Sequence, residues 1–198
     1  MLDLPVLAAS EIGDEALSWP IVAHRTLGAG VIQEFVRDVV GTPTGERMTR
    51  DYLRHTGAVG IIALDDDDNV LVVRQYRHPV GFRLLEPPAG LLDLDGEDAL
   101  AAAERELAEE AEARASDWRI LVDYFTSPGC LQESLRVYLA RGLEWAPRPE
   151  GFAVEGEVAG RAAGRDPDGD LLGALPVDRA RCRAHAPLSL LVCVACWG

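Results

Sequence analysis

Apolar positions change their spacing several times along the chain, and each change marks an element. Residues 1–18 show no period and predict a loose start. From Gly30 to Val40 apolar and polar positions alternate among β-branched residues, which predicts a strand with one buried face. Gly41-Thr-Pro-Thr-Gly45 supplies turn residues. Arg47–His55 then reads as the returning strand of a hairpin. Gly57–Leu64 is nearly all apolar and too short for a buried helix, so it predicts a strand covered on both faces. Asp65–Asn69 is a polar turn, Val70–Tyr76 the next strand, and Arg83–Glu86 a short strand stopped at Pro87-Pro88.

The period then becomes helical. Between Glu97 and Arg114 the chain is rich in Ala, Leu and Glu, and Leu100, Ala103, Leu107 and Ala111 recur on one face. Trp118–Phe125 and Ser134–Ala140 return to strand patterns. Many strands around one strong helix predict the α+β class with mixed sheets. After about Gly156 the pattern fades. Residues 156–186 are dominated by Gly, Ala, Arg, Asp and Pro, a composition of loop or disorder. The organisation expected is an N-terminal strand region over 1–56, a core domain over 57–157 and an atypical tail over 158–198.

Composition narrows the function classes. Net charge is −14, which disfavours non-specific binding to nucleic acid, where positive surface must replace counterions. All 19 basic residues are arginine, so any phosphate clamp must use guanidinium groups. No apolar run reaches the roughly 18 residues of a membrane span; the longest, Pro187–Trp197, is too short. The start, Met-Leu-Asp-Leu-Pro, lacks a basic segment ahead of an apolar one, so no secretory signal is expected. Four cysteines without an even framework point to a reducing cytoplasm. The single Cys193-Val-Ala-Cys196 pair, with no histidine pair after it, reads as incidental thiols.

The chemistry is concentrated on the helix. Glu106, Glu109 and Glu110 stand at i, i+3 and i+4 and share a face. Four residues downstream of Glu106 and Glu109 stand Glu110 and Ala113, not basic residues; only Glu110 has such a partner, Arg114. Like charges at this spacing cost a few tenths of a kcal/mol per pair on an isolated helix. A hard divalent cation would remove that cost, because Mg²⁺ takes carboxylate oxygens and keeps waters for a phosphate ligand. The competing reading is a solvated acidic face on an acidic protein.

The wider pattern decides between them. Gly90, then Glu97, then after seven residues Arg105-Glu106-Leu107-Ala108-Glu109-Glu110 resembles the signature of the Nudix hydrolases. Two departures stand out. Six residues separate Gly90 from Glu97 where five are usual, and Glu112 replaces the glycine that normally closes the helix, with Ala113 after it. The second predicts an altered C-terminal turn. The resemblance implies that Glu106 and Glu110 bind Mg²⁺ directly, with Mn²⁺ as a substitute. It also implies that Glu109 assists or binds a second ion, that the Ala89 carbonyl completes a site, and that Arg105 orients the glutamates with Glu97 as its partner.

The flanks resemble the bacterial ADP-ribose pyrophosphatase branch. Arg74-Gln75-Tyr76-Arg77 and Leu85-Glu86-Pro87-Pro88-Ala89-Gly90 match two of its segments, and Pro128 falls 15 residues after Ala113. This resemblance implies hydrolysis of ADP-ribose, or a related nucleotide sugar, to AMP and ribose 5-phosphate by a homodimer that exchanges N-terminal strands. It implies substrate contacts from Arg54, Arg77, Glu86 and Glu133, and adenine stacking on Trp19. It puts the general base on a loop, Glu155 first and Glu157 second. Cys130-Leu131-Gln132 stands where small polar residues are usual. The alternatives are another nucleotide sugar as substrate, or a binding domain without turnover. Resemblance and periodicity stop together near Glu157, which predicts a reading-frame shift there; resequencing the coding DNA tests it.

Overall fold

The computed structural model describes residues 12–66, 69–147 and 149, and the backbone of Leu175 and Pro176. The chain divides into two compact units, Met1–Leu53 and Arg54–Gly198.

The first unit is built on β1 (Ile21–Ala29), β2 (Glu34–Gly41) and β3 (Arg47–Arg54), whose last residue already belongs to the second unit. β1 and β2 pair antiparallel from Ile21↔Val40 to Ala29↔Glu34. The strand expected from Gly30 starts later, because the Gly30 N–H closes a turn onto the Gln33 carbonyl at 2.7 Å. β1 itself was not expected. Nearly all its residues are exposed, so no alternation marks it. The polar Asp38 is buried beside Val36, and its carboxylate meets His24 Nδ1 at 2.5 Å and accepts from the Tyr52 hydroxyl at 2.9 Å. A charge that deep in a sheet needs such partners.

The second unit carries β4 (Ala58–Ala63), β5 (Asn69–Val70), β6 (Val73–Arg77), β7 (Phe82–Glu86), β8 (Ala89–Leu91), α1 (Ala99–Ala111), β9 (Ala113–Phe125), β10 (Leu131–Gln132) and β11 (Ser134–Trp145). Leu175–Pro176 pairs antiparallel with β5. The main sheet runs β8-β4-β11-β9. β4 and β11 are parallel, while β8 and β9 add antiparallel on either side. Its mixed strands around one helix are those of the expected α+β class.

β4 is buried at every position because both faces are covered. Val59, Ile61 and Ala63 turn toward the helix residues Ala103, Leu107 and Ala111. Ile62 and Leu64 turn the other way, onto Val70, Val72 and Val137. Burying a side chain such as Leu107 contributes roughly 2 kcal/mol relative to leaving it in water.

Four departures from the expected elements appear in this unit. The strand expected over Val70–Tyr76 is broken, because the chain changes partner there. Leu71 donates to the Ala63 carbonyl, whereas β6 from Val73 onward pairs with β7. The short β8, inside what reads as a proline-glycine turn, was not foreseen. The helix is shorter at both ends than Glu97–Arg114. Asp98 caps it, accepting from the N–H groups of Leu100 and Ala101 at 2.9 Å. Arg114 already lies in β9, and Leu100 in the first turn stays 37% exposed. β9 and β11 outrun their expected lengths, pairing as far as Trp145↔Ala113. Gly142 permits this: its φ is 65°, and a Cβ there would lie 2.2 Å from Ser116 Oγ.

The helix terminates at Glu112, which takes the left-handed conformation (φ 50°, ψ 38°) and donates its N–H to the Leu107 carbonyl. The turn expected to be altered therefore keeps the geometry a glycine would give it, with the backbone cost borne by a side-chain-bearing residue. That conformation costs roughly 1–2 kcal/mol in a residue with a Cβ. Glu112→Gly is expected to raise stability by about 1 kcal/mol. Thermal unfolding should show a midpoint roughly 2–4 °C higher. An unchanged or lower midpoint would mean that the Glu112 side chain compensates the strain. No helix among the described residues is long and apolar enough to cross a membrane.

Candidate active site

Two carboxylates of α1 converge on the backbone of β8. Pairing with β4, Val59↔Gly90 and Gly60↔Ala89, fixes that backbone. Glu110 Oε2 accepts the Ala89 N–H at 3.0 Å. Glu106, one turn earlier, lays its carboxyl group directly on Gly90. A Cβ on Gly90 would stand 2.0 Å from its carboxyl carbon and from Oε1. The sixth residue between Gly90 and Glu97 does not disturb this contact. The intervening segment turns where the Glu97 N–H reaches the Leu94 carbonyl at 3.2 Å and Gly96 takes φ 82°.

The electrostatics single out Glu110. Burial pushes its pKa up to about 7, against the opposing Ala89 N–H; the negative Glu106 adds to the rise, Arg77 opposes it and Glu86 adds again. Burial also raises Glu106, with Arg105 opposing.

The neutralising group of Glu106 and Glu109 is Arg105, which stands upstream of both and not four residues downstream. Its Nε and Nη2 donate to Glu97 at 2.9 and 3.1 Å. Its Nη1 donates to Glu106 at 2.7 Å and to Glu109 at 2.9 Å. These bonds, the Glu97 pair first, strengthen its hold on the proton. Five fixed N–H donors let one guanidinium serve three carboxylates. The shortage of positive charge is therefore not shared by the whole glutamate face, as the sequence suggested, but centred on Glu110 beside Glu106.

Among the described residues no group of three His, Cys, Asp or Glu side chains is arranged to hold a metal ion. Glu109 is turned to Arg105 instead. Glu106 and Glu110, both largely buried at the Ala89–Gly90 backbone, are hard oxygen donors with a local excess of negative charge. That set fits Mg²⁺, which uses one or two carboxylates and retains water.

Arg77 and Glu86, both assigned to substrate from sequence, are paired with each other across the β6–β7 hairpin. Arg77 Nε donates to Glu86 Oε2 at 3.0 Å and Nη2 to the same oxygen at 2.7 Å. Both charges act on Glu110, so this pair lies near that carboxylate.

Glu133 belongs to a separate cluster. The Thr126 hydroxyl donates to Glu133 Oε2 at 2.5 Å, and the Thr126 N–H reaches the Glu133 carbonyl at 3.2 Å. The buried His55 ring places Nδ1 3.6 Å from Oε1. Nδ1 accepts the Gly57 N–H at 3.1 Å, which assigns the ring proton to Nε2. Sequence reading missed Thr126 and His55. The available signal was a hydroxyl and a carboxylate bracketing the short turn through Pro128-Gly129.

Arg54 is exposed at the start of the second unit. Trp19 lies in the first unit, and its indole N–H is buried with no acceptor among the described residues. Glu155, Glu157, the expected frame break and the Cys193–Cys196 pair lie outside the described residues.

Comparison with known proteins places this geometry in a context. A family model described as the NUDIX domain matches residues 54–161. An ADP-ribose pyrophosphatase of Mycobacterium tuberculosis is 47% identical over 137 residues, 69% of this chain and 66% of the relative. A methanol dehydrogenase activator of Bacillus methanolicus is 36% identical over 115 residues, 58% of this chain and 62% of the relative. An ADP-ribose pyrophosphatase of Bacillus subtilis is 34% identical over 123 residues, 62% of this chain and 65% of the relative. The matched stretch thus spans just under two thirds of the length of each of these relatives. A crystal structure of an ADP compounds hydrolase superposes with a TM-score of 0.60 at 24% identity, covering 72% of this chain and 77% of that one, a likeness of fold.

Proposed function

Because the chain belongs to the NUDIX family, we propose that it hydrolyses the pyrophosphate bond of ADP-ribose, or a related nucleoside diphosphate sugar, to AMP and ribose 5-phosphate. The observation that carries this reading is the convergence of Glu106 and Glu110 on the Ala89–Gly90 backbone. The substrate follows the names of the relatives in M. tuberculosis and B. subtilis.

In this reading Glu106, Glu110 and the Ala89 carbonyl hold Mg²⁺, with Mn²⁺ as a substitute, and Glu109 assists. A bound divalent cation supplies Lewis acidity to a phosphate oxygen and acidifies water at the site. Arg105, anchored on Glu97, sets the orientation of Glu106 and Glu109. Arg54 and Arg77 meet the phosphates through guanidinium N–H groups, with Glu86 steering Arg77. Glu133 receives a sugar hydroxyl and Trp19 stacks on the base. Water attacks one phosphorus, its proton passes to Glu155, or to Glu157 in its place, and the other phosphate leaves. The N-terminal strands join two copies of the chain.

The test is direct. The full chain, incubated with ADP-ribose and MgCl₂, is expected to release AMP and ribose 5-phosphate in equal amounts. A chelator should stop the release and added Mg²⁺ or Mn²⁺ should restore it. No AMP above the blank with either cation rejects the reading, whereas cleavage of another sugar nucleotide alone reassigns the substrate.

A further inference from the structure

We propose that Thr126 is a positioning residue for substrate binding: its hydroxyl fixes the Glu133 carboxylate so that Oε1 is left to accept a hydroxyl group of the sugar beyond the pyrophosphate. The inference rests on the reading of Glu133 given above.

The geometry separates the two carboxylate oxygens. Oε2 is engaged by the Thr126 hydroxyl at 2.5 Å. Oε1 faces His55 Nδ1 at 3.6 Å, but the Nδ1 lone pair is taken by the Gly57 N–H. The ring therefore offers Oε1 a wall and not a proton. An ionised carboxylate can accept about four hydrogen bonds. Among the described residues Oε1 receives none, while the Glu133 side chain keeps 21% of its exposure. The carboxylate thus keeps acceptor capacity on a side chain that is still partly exposed, and a sugar hydroxyl is a donor suited to it. Thr126 is held in turn by its own backbone, through the 3.2 Å bond from its N–H to the Glu133 carbonyl. The hydroxyl and carboxylate therefore stand at the two ends of one closed turn, which limits the rotamers open to Glu133.

A glutamate ordered before the ligand arrives loses less side-chain freedom on binding, an effect of roughly three- to tenfold in affinity. Thr126→Val removes the hydroxyl while keeping the branched shape and the backbone bond. With ADP-ribose its KM is expected to rise roughly three- to tenfold, with kcat little changed. Thr126→Ser, which keeps the hydroxyl, should restore the wild-type KM. In a Glu133→Ala background, which leaves the Thr126 hydroxyl no side-chain oxygen to hold, Thr126→Val should have no further effect on KM, as expected for two residues acting through one contact. An unmoved KM in Thr126→Val, or equal rises in the presence and absence of the Glu133 carboxylate, overturns the proposal while leaving the hydrolase reading intact. A wild-type chain that neither cleaves nor binds ADP-ribose overturns both.

Discussion

Replacing Glu110 with glutamine is expected to raise the unfolding midpoint of the metal-free protein at pH 8 and to cut turnover at least about a hundredfold, the upper end of what loss of a group supporting a metal ligand costs. The two effects have one origin. Glu110 is buried, and its pKa in the fold stands near 7 against an ordinary value of 4.5. The folded chain thus holds this proton more tightly than the unfolded chain. Its favourable contribution is complete below pH 4.5 and is lost as pH rises through 7. The full loss above pH 7 is about 3 kcal/mol. Glutamine keeps an oxygen for the Ala89 N–H and carries no charge, so it escapes that loss. The variant should melt roughly 5–10 °C higher at pH 8, and the gap should close toward pH 4.5. Added Mg²⁺ should raise the wild-type midpoint, more at pH 8 than at pH 6, and leave the variant nearly unmoved. Calorimetry across this range, with and without Mg²⁺, checks both signs. Coincident melting of the two metal-free proteins at pH 8 would sink the account.

Gly90→Ala separates stability from activity in another way. The methyl group would enter the space held by the Glu106 carboxyl, 2.0 Å from its carbon. Glu106 is a flexible side chain, so it can swing aside at little cost to the fold. It cannot do so and keep its place against the Gly90 backbone. The expected result is an unfolding midpoint close to wild type with turnover reduced roughly a hundredfold and a raised Mg²⁺ requirement. Steady-state rates over a Mg²⁺ titration, beside a melting curve, decide it. A variant with wild-type rate and Mg²⁺ dependence would mean that the Gly90–Glu106 contact plays no part in catalysis.

The elements that the sequence made legible are those whose burial is periodic. β4 is apolar throughout because both its faces are covered, and Ala103, Leu107 and Ala111 mark the helix because one face packs on that strand. β1 has no such mark, since a strand exposed along nearly its whole length leaves no alternation. β8 has three residues and sits between prolines and a turn, too short to show a period. At the site, the glutamates and Arg105 were visible as a pattern, but their division of labour was not. Glu109 and Glu110 are neighbours in sequence, yet one faces a guanidinium and the other a backbone N–H. Only three-dimensional direction separates them. Thr126 and His55 escaped because their partner, Glu133, lies seven residues from one and much further from the other, at no helical or strand spacing.

The segment between Gly90 and Glu97 is clamped at both ends. Gly90 is pinned under the Glu106 carboxyl and Glu97 is gripped by Arg105, which itself reaches Glu106 and Glu109. Residues 93–96, between the clamps, are exposed. Lengthening such a loop costs little in chain entropy, since the closure term grows only slowly with length. The number of residues there is thus uncoupled from the placement of the carboxylates. An engineer could thread a tag or reporter peptide through this stretch and is expected to leave the placement of Glu106 and Glu110 where it stands.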